Sequence, residues 1–112
     1  MSDFAPAAQL ADLPDGGTLA VDVDGVDVAL VNAGGEIFAL HDECSHAAIP
    51  LSEGDVEGCE IECWLHGSRF DLRTGKPSGL PATEPVNVYP CKLDGDTILV
   101  DVHHPINDPD HP

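Results

Sequence analysis

The feature that most narrows what this chain can become is a pair of short donor motifs. Cys44-Ser45-His46 is followed, after 16 intervening residues, by Cys63-Trp64-Leu65-His66. Each motif presents one soft thiolate and one imidazole, the side chains best matched to iron–sulfur or zinc centres. The surrounding stretch, residues 42–85, is rich in Gly and Pro and poor in hydrophobic alternation. It cannot easily build a core of its own, so a bound metal centre is the natural organiser. Cys59 and Cys91 bring the cysteines to four. Met1–Leu10 has neither a basic start nor an apolar run, and no stretch approaches membrane-spanning length. A cytoplasmic location is therefore expected. In that compartment four cysteines favour a metal or redox role over a disulfide framework.

Outside that stretch the pattern is that of strands. At 112 residues the chain is long enough for one domain and too short for two. Helical periodicity is almost absent; Leu10–Leu13 reads as one short turn ended by Pro14 and Gly16–Gly17. Thr18–Val23 and Val26–Val31 are β-branched and aliphatic and flank Asp24–Gly25, a strong hairpin turn. Ala33–Gly35 turns the chain into Glu36–His41. Val86–Leu93 and Thr97–Val102 flank Asp94–Gly95, read as a second hairpin of the same type. Such spacing predicts an all-β fold, an antiparallel sandwich or barrel. Aromatics make up only 4%, so the core must rest on Val, Leu, Ile and Ala, with Phe4, Phe38, Trp64, Phe70 and Tyr89 as its few large pieces. The expected organisation is a single domain over residues 1–102 with the metal-binding part at about 42–85. The segment from His103 to Pro112 is read as a disordered tail, with His103, His104 and His111 as plain tail residues.

Charge excludes several functions. Four Lys and Arg against 21 Asp and Glu give a formal charge of −17. A polyanion needs cations to displace its counterions, so nucleic acid is excluded as a partner, and an anionic membrane surface with it. A protein with a basic docking face fits, because complementary fields speed encounter; solubility alone accounts for the acidity equally well. No nucleophile elbow, phosphate-cradling glycine loop or Ser–His–Asp set is present in the sequence, so no catalytic residue is assigned.

The mixed donor set matters for what is bound. An all-cysteine [2Fe–2S] site would have to enlist Cys59 and Cys91 and ignore two well-placed histidines. If imidazoles replace both thiolates on one iron, Cys44 and Cys63 hold the first iron and His46 and His66 the second. Each segment then spans the cluster. The same four donors also satisfy a tetrahedral zinc site, although Cys-x-His is tighter than the usual zinc spacing.

The paired motifs, with His66-Gly67 closing the second and Phe70-Asp71-Leu72-Arg73-Thr74-Gly75 beyond it, resemble the Rieske signature. Pro81–Ala82 looks like that family's third, proline-bearing loop. The resemblance covers roughly residues 3–102. It looks most like the ferredoxin components of bacterial aromatic-ring-hydroxylating (non-heme iron) oxygenase systems. It implies the Rieske (ISP-like) fold, an antiparallel β base carrying an inserted cluster-binding subdomain. It implies one [2Fe–2S] cluster on Cys44, His46, Cys63 and His66, flanked by Gly67, Ser68 and Pro81. It also implies an electron carrier rather than an enzyme, a monomer that takes single electrons from a flavin-dependent reductase to a terminal oxygenase. Two alternatives stay open: an accessory or regulatory Rieske module of another redox or iron–sulfur system, and a zinc-stabilised interaction domain. Cys59, Cys91 and His41 fall outside the motif, the cysteines as small buried residues and His41 as a strand-end residue.

Three departures are informative. Respiratory-chain Rieske proteins carry an extra cysteine in each loop; the matching positions here are Ile49 and Leu65, so no disulfide can brace the loops. Ser68 is kept, but Phe70 stands where those proteins commonly have Tyr. Trp64 stands where relatives often have Pro, and a lone Trp usually packs structurally. Fewer hydroxyl donors and strong surrounding negative charge both disfavour the reduced state. The midpoint potential is therefore expected near the lower end of the Rieske span of roughly −150 to +300 mV. Protein-film or titration electrochemistry checks this, and a midpoint well above zero would contradict it.

Overall fold

The computed structural model describes residues 4–42, 50–62, 69–77, 86–103 and 106. Among them are ten strands, β1 (Ala5–Gln9), β2 (Thr18–Val23), β3 (Val26–Ala33), β4 (Glu36–His41), β5 (Asp55–Glu57), β6 (Glu60–Glu62), β7 (Arg69–Asp71), β8 (Val88–Tyr89), β9 (Cys91–Asp94) and β10 (Thr97–Val100). Short 3-10 turns stand at Leu10–Asp12 and Leu51–Glu53. Every strand pairing is antiparallel. No helix among the described residues is long and apolar enough to cross a membrane.

The strands form three sheets, β1-β10-β9, β2-β3-β4-β8 and β5-β6-β7. Their arrangement follows from the apolar runs in β3 and β4. Val28, Ala29, Leu30 and Val31 are all inaccessible to solvent, and so are Ala39 and Leu40. A strand with one wet face alternates apolar and polar residues; an unbroken apolar run needs cover on both faces. One face of the central sheet, with Val28, Leu30, Ala39 and Tyr89, shares a core with Ile98 and Val100 of β10. The opposite face, with Val31, Phe38, Leu40 and Val88, shares a core with Leu51, Ile61, Phe70 and Leu72. The central sheet is thus the middle layer of three.

This corrects one expectation about the 42–85 stretch. It has a core after all, because β5-β6-β7 turns Val56, Ile61 and Phe70 inward and borrows the underside of β3 and β4. The three-residue strands escaped notice because their other positions are all charged.

Other boundaries also differ. The expected strand Val86–Leu93 is divided at Pro90. Val88 and Tyr89 pair with Leu40 and Ala39, whereas Cys91 pairs with Val100 in another sheet. Proline has no N–H to give to a ladder, so the chain changes sheets there. The first hairpin is as read: Asp24 and Gly25 both take positive φ (51° and 82°), and Val23 faces Val26. That is the primed turn whose twist suits a two-residue loop. The second hairpin is of a different type. Asp94 stays in β9 opposite Thr97, and of its two loop residues, Gly95 and Asp96, only Gly95 has positive φ. The last expected strand ends at Val100, although Asp101 and Val102 remain buried. Contacts with the base continue past Val102, since His103 Nε2 lies 3.2 Å from Asp24 Oδ2 and the Ile106 N–H donates to Val88 O at 2.7 Å.

Phe70 is the largest fully buried side chain among the described residues and stands where the two-sided core meets the insertion. Phe70→Ala is expected to cost about 3–5 kcal/mol, since the cavity cannot collapse against two rigid sheets. Urea unfolding checks it through a lower midpoint at unchanged slope; a loss of under about 1 kcal/mol would mean that the insertion packs loosely.

Candidate metal centre

Segments 43–49, 63–68 and 78–85 lie outside the described residues, and with them Cys44, His46, Cys63, His66, Gly67, Ser68, Pro81 and also Trp64. The described chain shows what holds the two ends of each segment.

The first segment leaves the end of β4 and returns at Pro50. Its neck is closed by Asp42, whose carboxylate accepts the Ser52 N–H at 2.7 Å and the Ser52 hydroxyl at 2.8 Å. The Thr18 hydroxyl of β2 donates to Ser52 O, and the Asp42 N–H donates to Asp27 O at 2.9 Å. Leu51, inaccessible to solvent, anchors the turn from below. Hydrogen bonds to an ionised carboxylate are the stronger kind, so this clasp is stiffer than an ordinary loop closure.

The second segment connects β6 to β7. Glu62 and Arg69 face each other across its base, with Arg69 Nε donating to Glu62 Oε2 at 3.2 Å and Nη2 reaching Glu57 Oε2 at 3.5 Å. The Glu57 pair is exposed and the Glu62 pair only half-buried, so each is worth about 0–1 kcal/mol. Register, rather than charge, fixes this neck.

The third segment is closed by a bridge between Phe70 and Pro77 and by the Val86 N–H donating to Gly75 O at 2.9 Å. Here the Phe-Asp-x-x-Thr-Gly motif acquires a physical meaning. Phe70 is core, and Asp71 Oδ1 accepts the N–H groups of Arg73 at 2.7 Å and Thr74 at 3.2 Å. Thr74 Oγ1 accepts the Lys76 N–H at 3.3 Å, and the Gly75 N–H donates to Asp71 O at 2.7 Å. An Asx turn therefore folds the chain back on itself just before the proline-bearing segment.

The first two necks touch. A Cβ placed on Gly54 would overlap the carbonyl oxygen of Glu62, the last residue before the second segment. Gly54 has ordinary extended dihedrals (φ −85°, ψ −176°), so the glycine is needed for close approach and not for backbone freedom. This cradle brings the return of the Cys44/His46 segment against the departure of the Cys63/His66 segment.

A two-cysteine, two-histidine donor set is consistent with the described residues, because both cysteines outside the motifs stand away from the necks. Cys59 lies in the turn joining β5 and β6, at the opposite end of that hairpin from Glu62. Cys91 lies on β9 and donates its S–H to Ile37 O at 3.1 Å, near the start of β4 and far along that strand from His41. Burial, reinforced by the Glu36 carboxylate, pushes its thiol up to about 11, so it stays protonated near neutrality and is a poor ligand. Both cysteines are free and half-buried, less enclosed than expected. His41 is the last residue of β4, as expected, and its buried Nδ1 has no hydrogen-bond partner. Among the described residues no three His, Cys, Asp or Glu side chains converge on a metal site.

Sequence reasoning missed the neck residues Asp42, Ser52, Gly54 and Arg69. Ser52, Gly54 and Arg69 lie within the runs that follow the two donor motifs, but those runs show no sign of the part they play in closing the necks. Gly54→Ala is expected to separate the two necks, lowering the melting temperature and speeding loss of bound metal to a chelator. Unchanged melting and retention would show that the segments are held independently.

Comparison with known proteins agrees with this geometry. The family model of the Rieske [2Fe-2S] domain matches residues 3–90. The ferredoxin component of the naphthalene 1,2-dioxygenase system of Pseudomonas aeruginosa is 41% identical over 96 residues, covering 86% of this chain and 92% of that protein. The ferredoxin of carbazole 1,9a-dioxygenase from Nocardioides aromaticivorans IC177 superimposes with a TM-score of 0.83 at 42% identity, covering 88% of this chain and 97% of that one. A chain in the complex of reduced oxygenase and oxidized ferredoxin in carbazole 1,9a-dioxygenase gives a TM-score of 0.82 at 28% identity, over 90% of this chain and 94% of that one.

Proposed function

This chain belongs to the Rieske [2Fe–2S] domain family and is an electron-transfer ferredoxin; we propose that it shuttles single electrons from a flavin-dependent reductase to the terminal oxygenase of an aromatic-ring-hydroxylating system. The observation that carries the reading is the meeting of two necks at Gly54 and Glu62 beneath the two donor-bearing segments. A ferredoxin seated with its oxygenase, as in the carbazole 1,9a-dioxygenase complex, supports the acceptor.

In this reading Cys44 and Cys63 hold one iron and His46 and His66 the other, with Gly67, Ser68 and Pro81 around them. When bound, the cluster supplies a one-electron couple, and with all ligands drawn from protein it leaves no open position for substrate. The chain's own contribution is positioning. The Asp42–Ser52 clasp and the Glu62–Arg69 register hold the bases of the two segments, and the Asp71 turn precedes the third. The cluster-binding subdomain is placed at about 42–85 within a domain of residues 1–102. The carrier works as a monomer in the cytoplasm and meets basic faces on its partners, so its docking weakens with added salt.

An absorption and EPR spectrum of the purified protein, taken before and after dithionite, tests the ligand set. A red-brown protein is expected, with a reduced-state signal of lower average g than all-cysteine clusters. His66→Ala should abolish that signal while Cys91→Ala leaves it intact. A colourless, EPR-silent protein containing zinc would overturn the carrier reading.

A further inference from the structure

The outer face of β5-β6-β7 sets one cation among several carboxylates. Strand alternation turns Val56, Ile61 and Phe70 inward, which leaves Asp55, Glu57, Glu60, Glu62, Arg69 and Asp71 on the other side. Register aligns Asp55 with Glu62 and Glu62 with Arg69 in one row, and Glu57 with Glu60 and Glu60 with Asp71 in the next. Arg69 is one of only four Lys and Arg residues in the chain. The others stand elsewhere, with Arg73 and Lys76 in the turn beyond β7 and Lys92 on β9, 4.5 Å above the Phe4 ring.

Arg69 follows His66 by three positions. A residue spans at most about 3.6 Å of chain, so their α-carbons are no more than about 11 Å apart. That is close to the screening length of about 8–10 Å in ordinary buffers, so the charge of Arg69 reaches the histidine-bearing segment. Its guanidinium also pairs with Glu62 at 3.2 Å, at the base of the same segment, and reaches back along the sheet to Glu57 at 3.5 Å in the next row.

We propose that Arg69 sets the reduction potential of this ferredoxin, offsetting Glu62 at the foot of the second donor segment and Glu57 in the row behind it, and so favouring the reduced cluster. The proposal rests on His66 being a ligand. Reduction adds one electron, which turns one ferric ion ferrous and makes the site one unit more negative. Arg69 gives up no proton and forms no bond; it acts through space. Its removal takes one positive charge from the site and so leaves Glu57 and Glu62 uncompensated, which disfavours the added electron. A unit charge about 11 Å away changes the ratio of reduced to oxidised protein by about 2- to 4-fold at a fixed applied potential, and a more distant one by less.

The test is a spectroelectrochemical titration of holoprotein carrying Arg69→Gln or Arg69→Lys, beside the unaltered chain, at low salt and at about 1 M salt, where screening shortens to roughly 3 Å. The Arg69 side chain is 42% exposed, so neither change disturbs the core. Arg69→Gln should shift the ratio toward oxidised protein by about 2- to 4-fold at low salt. Most of that shift should vanish at high salt, Arg69→Lys should keep the original value, and the EPR g values should not move. An unshifted Arg69→Gln protein would overturn the proposal. So would a shift that persists in salt, comes with altered g values and is not restored by Lys, since that describes a mechanical strap. Absence of a histidine-ligated signal from the unaltered protein would instead remove the ligand assignment itself, and the proposal with it.

Discussion

Burial of both faces of the β2-β3-β4-β8 sheet is the requirement on which the rest of the molecule depends. Val28–Val31 and Phe38–Leu40 cannot be left wet on either side, since each large apolar side chain returned to water costs about 1.5–3 kcal/mol. The β1-β10-β9 sheet covers one side. The other side is covered by residues from the insertion itself, Leu51, Ile61, Phe70 and Leu72. The donor segments consequently spring from a layer already fastened to the base by its own core. A metal centre here adds to an existing framework instead of creating one.

Three different forces close the three necks, and the differences have consequences. A carboxylate clasp of two short hydrogen bonds closes the first, strand register the second, and an Asx turn with a proline bridge the third. Hydrogen bonds to a charge and an antiparallel register both specify position to a fraction of a residue, because a slip of one place turns Ile61 and Phe70 outward. The contact of Gly54 with Glu62 couples the first two necks. A ligand set drawn from two segments needs that coupling, because a shift of either alone would spoil the spacing between their donors.

How much of this was legible in the sequence divides by the range of the interaction. Local chemistry was legible: β2 and β4 fall on the expected residues, and Asp24–Gly25 makes the expected turn. The donor motifs and the Phe-Asp-x-x-Thr-Gly run pointed to the family because each is read within a few neighbouring residues, and the run encodes a local turn. Non-local chemistry was not legible. β1 was missed because Ala5-Pro6-Ala7-Ala8 has no β-branched residue, and it is a strand only by its pairing with β10. The short strands β5, β6 and β7 show one apolar residue each between charges, too little period to read. Pro90 was visible, yet the change of sheet it marks depends on where β10 lies. The role of Gly54 was hidden in the same way, since only the tertiary approach of Glu62 makes a side chain impossible there.

The charge distribution ties the fold to its redox role through thermodynamic linkage. A chain of formal charge −17 becomes more negative on reduction, so its own field opposes taking up the electron. A partner with a basic face relieves that opposition while it is docked. It therefore binds the reduced form more tightly than the oxidised one, by the same free energy with which it raises the potential. An acceptor of this kind preferentially gathers loaded carrier and holds it less firmly once the electron has left. Acidity in such a carrier is then a means of distinguishing its two oxidation states. Arg69, held among carboxylates on the face beside the second donor segment, limits how far that discrimination goes in the free protein.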